Sequence, residues 1–145
     1  MKHAIRLILT AALVALPALV FAQDAATEVG PIRSSAAYAE VLLRKTDIMA
    51  DLEALSADYT EANPKIVDLR FELASLDKSL EKIFGVKPSE TGKLTQALGK
   101  LIVRRATLET DHARLTRSYN KDHPEVKRAK RKVEIFDSAI REVLK

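Results

Sequence analysis

The sequence predicts an all-α protein, built as two tandem antiparallel helical hairpins that form a coiled-coil-like four-helix bundle. Leu, Ala and long charged residues dominate the chain, whereas Cys and Trp are absent, a composition typical of long helices. Apolar residues recur at alternating spacings of three and four, and this pattern appears twice, sixty residues apart. Each half also contains a Tyr followed after four residues by a Pro, in "YTEANP" and "YNKDHP". These observations together indicate a duplicated helical unit.

The first element is a predicted signal peptide over residues 1–22. A basic start, "MKHAIR", precedes an apolar run broken by Pro17, and we expect cleavage after Ala22. An uncleaved membrane anchor is the alternative, but the apolar run is short for a span of about 20 residues. With no Cys, a lipid-modified lipoprotein terminus is excluded. We therefore expect a periplasmic or secreted protein, in which residues 23–33 form a flexible leader.

The first predicted hairpin covers residues 34–84 and the second covers residues 93–145. Ahead of each turn runs a helix with one apolar stripe, and after each turn a second helix carries a seam in strict heptad register. The seam of the first half is Ile66, Leu69, Leu73, Leu76, Leu80 and Ile83; that of the second is Val126, Ala129, Val133, Phe136, Ile140 and Val143. Lys45 and Arg105 interrupt the preceding stripes at equivalent places, where a polar seam position can fix the register. The segment "GVKPSETG", residues 85–92, is the predicted linker, with Ser89 as a possible helix cap.

The two turns are predicted from proline chemistry. Pro suits the first position of a helix but not its interior, and Asn63 is a favoured N-cap whereas His123 is a poorer one. An aromatic ring on the last seam position can close the end of a hairpin while its hydroxyl stays in water. The turn residues are Tyr59, Asn63, Pro64, Tyr119, His123 and Pro124.

Charge divides the chain into an acidic and a basic half. Residues 23–85 carry 7 Lys and Arg against 12 Asp and Glu, a net of −5, while residues 93–145 carry 14 against 7, a net of +7. Complementary halves attract each other within a chain or between chains. We expect a homo-oligomer because burial of the seam residues only marginally offsets the cost of ordering the backbone of a single chain. The densest basic run consists of Lys127, Arg128, Lys130, Arg131 and Lys132. It is predicted either as a solvated helix face or as a site for acidic polysaccharide or anionic lipid; nucleic acid is not an expected partner of an exported chain without interleaved aromatic residues.

No motif in the sequence predicts catalysis. There is no HExxH, Gly-rich phosphate loop or Cys/His cluster, and we predict no catalytic, cofactor-binding or metal-binding residue. His112 falls on a seam position and is interpreted as a packing residue. His123 lies near Asp122 and Glu125, which leaves a weak cation site as an alternative to its role in the turn. The sequence therefore predicts a protein that is not an enzyme and has no cofactor.

The repeated pattern of Tyr, three residues, Asn or His, Pro and a continuing seam resembles the periplasmic coiled-coil segment of polysaccharide co-polymerases, the chain-length determinant and exopolysaccharide-export proteins. In that family a Tyr and a His-Pro mark the point where one long helix turns into the next. The resemblance covers Leu55 to Leu80 and, more fully, Leu115 to Ile140. The membrane-spanning helices, α/β base domain and kinase module of that family have no counterpart here.

The resemblance implies a soluble accessory of polysaccharide assembly or export that contacts envelope proteins. Two further functions stay open. One is a periplasmic holdase-type chaperone, although the sequence has no strand pattern for the β-rich body of such proteins. The other is a structural or adaptor coiled coil that binds a partner helix on its widened apolar face.

Overall fold

The computed structural model describes residues 30–145, which contain four long α-helices. They are α1 (Ala36–Asp58), α2 (Pro64–Phe84), α3 (Gln96–Ser118) and α4 (Pro124–Leu144), and a 3₁₀ helix (Pro88–Lys93) connects α2 to α3. Residues 30–145 contain no strand, so the predicted all-α class is confirmed. The predicted signal peptide and most of the predicted leader lie outside the described residues. None of the helices in residues 30–145 is both long and apolar enough to cross a membrane.

Side-chain caps begin each of the four helices. Ser35 Oγ accepts a hydrogen bond from the Tyr38 N–H at 3.2 Å, and Thr95 Oγ1 accepts one from the Leu98 N–H at 3.3 Å. Asn63 caps α2, as the sequence predicts, by accepting from the Lys65 N–H at 2.9 Å. Each such bond satisfies one of the N–H groups that lack a partner in the first turn of a helix.

The pair formed by α1 and α2 buries the first predicted seam. Ile66 and Leu76 are fully buried in α2, and Val41 and Ile48 are fully buried in α1. The Tyr38 ring lies 5.7 Å from the ring of Phe84, so the start of α1 contacts the end of α2. The two helices therefore run antiparallel.

Helix α3 lies at the centre of the fold, because it packs against α1, α2 and α4. Its closest approach is to α1 at Gly99, where a Cβ atom would stand 2.7 Å from the Glu40 Cβ and 3.0 Å from the Ala37 backbone. Only a residue without a side chain fits such a separation. The Ala37 N–H also donates to the Leu94 carbonyl oxygen at 3.1 Å, which ties the start of α1 to the segment before α3.

Helix α4 is much less covered than α2. Its extensive packing is against α3 alone, and only Val126 and Ala129 are buried among its residues. Helix α2, by contrast, buries residues along its whole length. From Val133 onward the second predicted seam is only half-buried, which departs from the equal burial that the repeated pattern predicts. The reason is positional: α2 is covered by α1 and α3, whereas α4 is covered mainly by α3.

Two further predictions differ from the structure at the connections. Residues 30–33, predicted as the end of a flexible leader, form a helical turn, and Ile32 is buried with 3% of its surface exposed. Most of the 3₁₀ helix lies in the predicted linker. Ser89 is inside this helix and does not cap α3, whose cap is Thr95. Leu94, just before that cap, is buried in the core. Apolar burial of Ile32 and Leu94 orders segments that lack helical periodicity in the sequence.

Candidate interaction surfaces

The two predicted turns have nearly the same backbone geometry. Tyr59 ends α1 with φ −127° and ψ 151°, and Tyr119 ends α3 with φ −131° and ψ 154°. The Asn63 N–H donates to the Thr60 carbonyl oxygen at 2.9 Å, and the His123 N–H donates to the Asn120 carbonyl oxygen at 3.1 Å. Pro64 and Pro124 each occupy the first position of the following helix. The repeated Tyr and Pro pattern in the sequence therefore corresponds to a repeated turn in the structure.

Both tyrosines are exposed at the turns, with 54% of the surface of Tyr59 and 47% of that of Tyr119 open to solvent. The Tyr119 ring stacks on the His123 ring at a centroid distance of 4.2 Å and an angle of 22°. His123 Nδ1 accepts a hydrogen bond from the Glu125 N–H at 3.2 Å, so this histidine caps α4 despite its poorer intrinsic preference. Residues 30–145 contain no group of three or more acidic or histidine side chains placed to hold a metal ion.

An ion pair repeats at the same register in both halves. Lys45 pairs with Asp77 across α1 and α2, and Arg105 pairs with Asp137 across α3 and α4. Lys45 and Arg105 are predicted from the sequence as seam residues, but without these partners. The signal was available, because Asp77 and Asp137 are also sixty residues apart. The two ion pairs therefore join the helices of each pair at equivalent positions.

A second group of polar contacts joins α2 to both α1 and α3. Glu72 is buried, with 4% of its surface exposed, and accepts from Arg44 Nε at 2.8 Å, Arg44 Nη2 at 3.0 Å and Thr107 Oγ1 at 3.2 Å. The hydrogen bond to Glu72 raises the pKa of Arg44 above its ordinary value. Near the turns, Asp68 pairs with both Arg114 and Arg117. Opposite charges of the two halves therefore meet inside the chain at Asp68, whereas Glu72 pairs with Arg44 of its own half.

The five basic residues of α4 singled out in the sequence are all exposed. Four of them face nearby carboxylates: Lys127 lies 3.2 Å from Asp122, Arg128 lies 2.8 Å from Glu125, and Arg131 and Lys130 lie 3.3 Å and 4.0 Å from Glu134. Exposed pairs of this kind contribute only about 0–1 kcal/mol each. Five positive and three negative charges still give this surface a net charge of +2. The fifth basic residue, Lys132, forms no ion pair within the described part of the chain.

Lys132 lies at the edge of an open groove between α3 and α4, which we call the α3–α4 groove. The groove has a volume of about 540 Å³. Its lining combines apolar and charged side chains, namely Leu108, Asp111, Arg114, Leu115, Glu125, Arg128, Ala129, Arg131 and Lys132. Apolar floor residues flanked by mostly basic walls suit an amphipathic helix with acidic edges better than a small molecule.

A smaller apolar cavity lies where α4 returns to the end of α2. Ile83, Ile102, Ile140 and Leu144 contribute to its walls, and its volume of about 30 Å³ holds about one water molecule. His112 is partly buried on α3, in agreement with its interpretation as a packing residue. The cavity is too small to enclose a substrate.

Comparison with known proteins adds no relative: no protein-family model, no curated protein and no solved structure matches this chain.

Proposed function

We propose that this protein is a non-catalytic, exported interaction protein, built as two tandem helical hairpins in a coiled-coil-like four-helix bundle. Its binding surface is the α3–α4 groove. The observation that carries this proposal is the unequal covering of equivalent helices: α2 is packed on two sides, whereas α4 leaves a groove with an apolar floor and basic walls. An open amphipathic groove of this kind accepts a helix in other proteins.

The contacts of the polar side chains support a non-catalytic role. Arg105 is held by both Asp137 and Glu109, and the buried Glu72 is held by Arg44 and Thr107. A catalytic acid or base needs a free position from which to reach a substrate. These groups instead form hydrogen bonds with other side chains of the fold.

The setting that we propose is polysaccharide assembly or export in the cell envelope. It derives from the resemblance of the Tyr and Pro turns to those of polysaccharide co-polymerases, and from the predicted signal peptide. The near-identity of the two turn geometries supports treating that motif as one structural unit used twice. In this proposal the partners are envelope proteins, and the basic face of α4 favours partners with acidic surfaces.

A photo-crosslinking experiment in cells tests the binding surface. A photoreactive amino acid replaces Lys132 in the groove, Asn120 at the second turn, or Lys78 on the exposed side of α2 as the control. The proposal expects envelope polysaccharide-assembly proteins to be captured from position 132 and at most weakly from position 78. Equal capture from both positions would contradict the groove as the binding surface, and capture from position 120 alone would move it to the turns.

The identity of the captured partners tests the proposed setting. A broad spread of unfolded outer-membrane proteins would overturn the polysaccharide proposal in favour of a holdase, whose substrates would contact exposed apolar residues such as Leu43 and Met49. Capture of a single unrelated helical partner would favour an adaptor role. Sequencing the N-terminus of the mature protein tests export, because the proposal expects it to begin at Gln23.

A further inference from the structure

We infer that a second copy of this chain docks its α1 helix into the α3–α4 groove, repeating between copies the way α3 docks onto α1 and α2 within one copy. This inference rests on the proposed function, since it names a partner for the same groove. The inference depends on residues that are sixty positions apart in the sequence. On α3 and α2 these residues are buried in contacts within the chain, whereas their counterparts on α1 and α4 are exposed.

The docking face of α3 is narrow and made of small or apolar residues. Gly99, Ile102, Ala106 and Thr110 are all buried, and they lie on the side of α3 that faces the first helix pair. Gly99 has Ala37 and Glu40 of α1 as its nearest neighbours. Spacings of three and four residues place these four side chains on one stripe of the helix.

The equivalent face of α1 has the same character but is open to solvent. Its residues are Ala39, Leu42, Thr46 and Ala50, and all four are exposed. Leu42 has 42% of its surface exposed, and Met49, on the edge of the same stripe, has 57%. Helix α1 thus carries an unoccupied version of the surface that α3 buries.

The receiving surface is also present twice. On α2, Asp68, Glu72 and Ser75 contact α3 through ion pairs or hydrogen bonds. The equivalent residues on α4 are Arg128, Lys132 and Ile135. They lie about one, two and three helical turns after Pro124, on the same face of the helix. Arg128 and Lys132 line the α3–α4 groove, and Ile135 is 54% exposed. The second helix pair therefore presents a receiving surface whose charge is reversed.

If α1 of a second copy packs on α4 as α3 packs on α2, two contacts between α2 and α3 predict two contacts between copies. The bond from Thr107 to Glu72 corresponds to a contact between Asp47 and Lys132, which carry opposite charges. The bond from Ser75 to Glu109 corresponds to a contact between Met49 and Ile135. A polar contact inside the chain is thus replaced by an apolar one between copies.

These replacements favour association. Met49 and Ile135 are among the most exposed large apolar side chains of the described residues, and burying them against each other removes apolar surface from water.

The charges of the two surfaces agree with this docking. Helix α1 carries five acidic and two basic residues, a net of −3. The groove is lined by four Arg or Lys residues and two acidic residues, a net of +2. Opposite fields of this kind steer association and exclude wrong partners.

One position shows how the external contact must differ from the internal one. Ala39 carries the Cβ atom that its counterpart Gly99 lacks, and at Gly99 that atom would come within 2.7 Å of the Glu40 Cβ. The second copy must therefore lie slightly farther out than α3 does, which leaves room for the larger Met49 and Ile135 side chains. Because the donor and acceptor surfaces are different, the interface is heterologous, and repeated docking gives a ring or an open chain of copies.

Disulfide crosslinking tests the predicted contact directly, because the natural chain contains no Cys. The full mature chain carrying M49C and I135C is purified and oxidised. The inference expects a ladder of covalent multimers, and a mixture of the two single variants is expected to give a dimer as the main product. Variant S75C/E109C is the reference for the geometry, because it carries the equivalent contact within one chain and any disulfide it forms leaves the mass of a monomer.

Variant M49C/K130C is the matched negative control, because Lys130 is exposed on α4 but points away from Ile135 on the helix. Equal ladders from the I135C and K130C pairs would overturn the inference. A dimer formed mainly by M49C alone would also overturn it, because it would show a symmetric contact through α1. Both outcomes are read on non-reducing gels.

Charge exchange provides an independent test without any covalent bond. We expect D47K and K132D each to weaken self-association about threefold in sedimentation velocity, and D47K/K132D to restore it. Failure of the double variant to recover would overturn the predicted pairing of these residues.

The two proposals fail in different ways. No self-crosslink in the purified protein, together with capture of envelope proteins at position 132 in cells, sinks this inference alone. A self-crosslinked ladder with no envelope protein captured contradicts the proposed envelope partners, but it leaves the α3–α4 groove as the binding surface on which this inference rests.

Discussion

Helices α2 and α4 follow the same turn, begin with the same Pro and carry the same seam spacing, yet they differ in what covers them. Helix α2 buries polar as well as apolar residues, including Glu72, Ser75 and Ser79. The counterparts of these three on α4 are Lys132, Ile135 and Ala139, of which Lys132 and Ile135 are exposed. The seam residues pack the two helices of one pair together in both halves. A second face of the same helices, formed by Glu72, Ser75 and Ser79 on α2 and by Lys132, Ile135 and Ala139 on α4, determines whether the helix also packs against the other pair. The two halves share the first property and differ in the second.

The largest contrast is expected when equivalent seam residues are truncated. Leu76 is fully buried, whereas its counterpart Phe136 is only partly buried. We expect Leu76→Ala to lower the free energy of unfolding by about 3 kcal/mol, because it removes apolar contacts and leaves a cavity. Phe136→Ala is expected to cost about 1 kcal/mol, although a larger side chain is removed. Urea denaturation of dilute protein measures both values, and equal costs would show that α4 is as well covered as α2.

The next contrast concerns Glu72 on α2 and Lys132 on α4, which occupy equivalent positions and carry opposite charges. We expect Glu72→Gln to destabilise the fold by about 2 kcal/mol, because a buried carboxylate that accepts bonds from Arg44 and Thr107 loses its charge. Lys132→Ala is expected to change the stability of dilute protein by less than about 0.5 kcal/mol. Thermal unfolding followed by circular dichroism compares the two variants, and a cost at Lys132 as large as that at Glu72 would contradict the open groove.

A smaller effect is expected where α1 and α3 approach each other. Gly99→Ala improves helix propensity by about 1 kcal/mol, but the added Cβ meets the Glu40 Cβ and the Ala37 backbone. Neither can move without shifting α1, and overpacking costs about 1–3 kcal/mol, so we expect a net loss of about 1 kcal/mol.

The inverse change, Ala39→Gly on the open face of α1, serves as the control. It should cost about 1 kcal/mol through propensity alone. If Gly99→Ala raises the free energy of unfolding in the same urea titration, the close approach of the two helices is contradicted.

The smallest effect concerns pH and the 3₁₀ helix. Lys93 Nζ lies 2.9 Å from Glu90 Oε1 and 3.2 Å from the Leu144 carbonyl oxygen, and its hydrogen bond lowers the pKa of Glu90. A carboxyl group with a lowered pKa in the folded state stabilises the fold above its ordinary pKa and loses that contribution as the pH falls through the lowered value. We expect an NMR titration to find the Glu90 pKa below its ordinary value and Lys93→Met to restore it. An unchanged Glu90 titration in that variant would contradict the contact.

The sequence was sufficient to predict features that depend on local chemistry. Pro64 and Asn63 predicted the first turn and its cap, and the spacing of Ile66 to Ile83 predicted the buried seam of α2. Thr95 and Ile32 were missed, because a cap after an irregular segment and a lone buried residue have no periodicity to reveal them.

The unequal burial of α2 and α4 could not be predicted from the seam, since both helices carry the same pattern. It depends on which faces meet across sixty residues of chain. The reversals from Asp68 to Arg128 and from Glu72 to Lys132 were local signs that these faces have different neighbours.

Hydrogen–deuterium exchange of the intact protein, followed at two protein concentrations, tests the central claim most directly. In dilute protein we predict slower exchange in α2 than in α4, with the contrast greatest between residues 70–80 and residues 130–140, because the second face of α4 is open. At high concentration we predict that protection rises in α4 and on α1 but stays unchanged in α2. Equal protection of α2 and α4 in dilute protein would contradict the account.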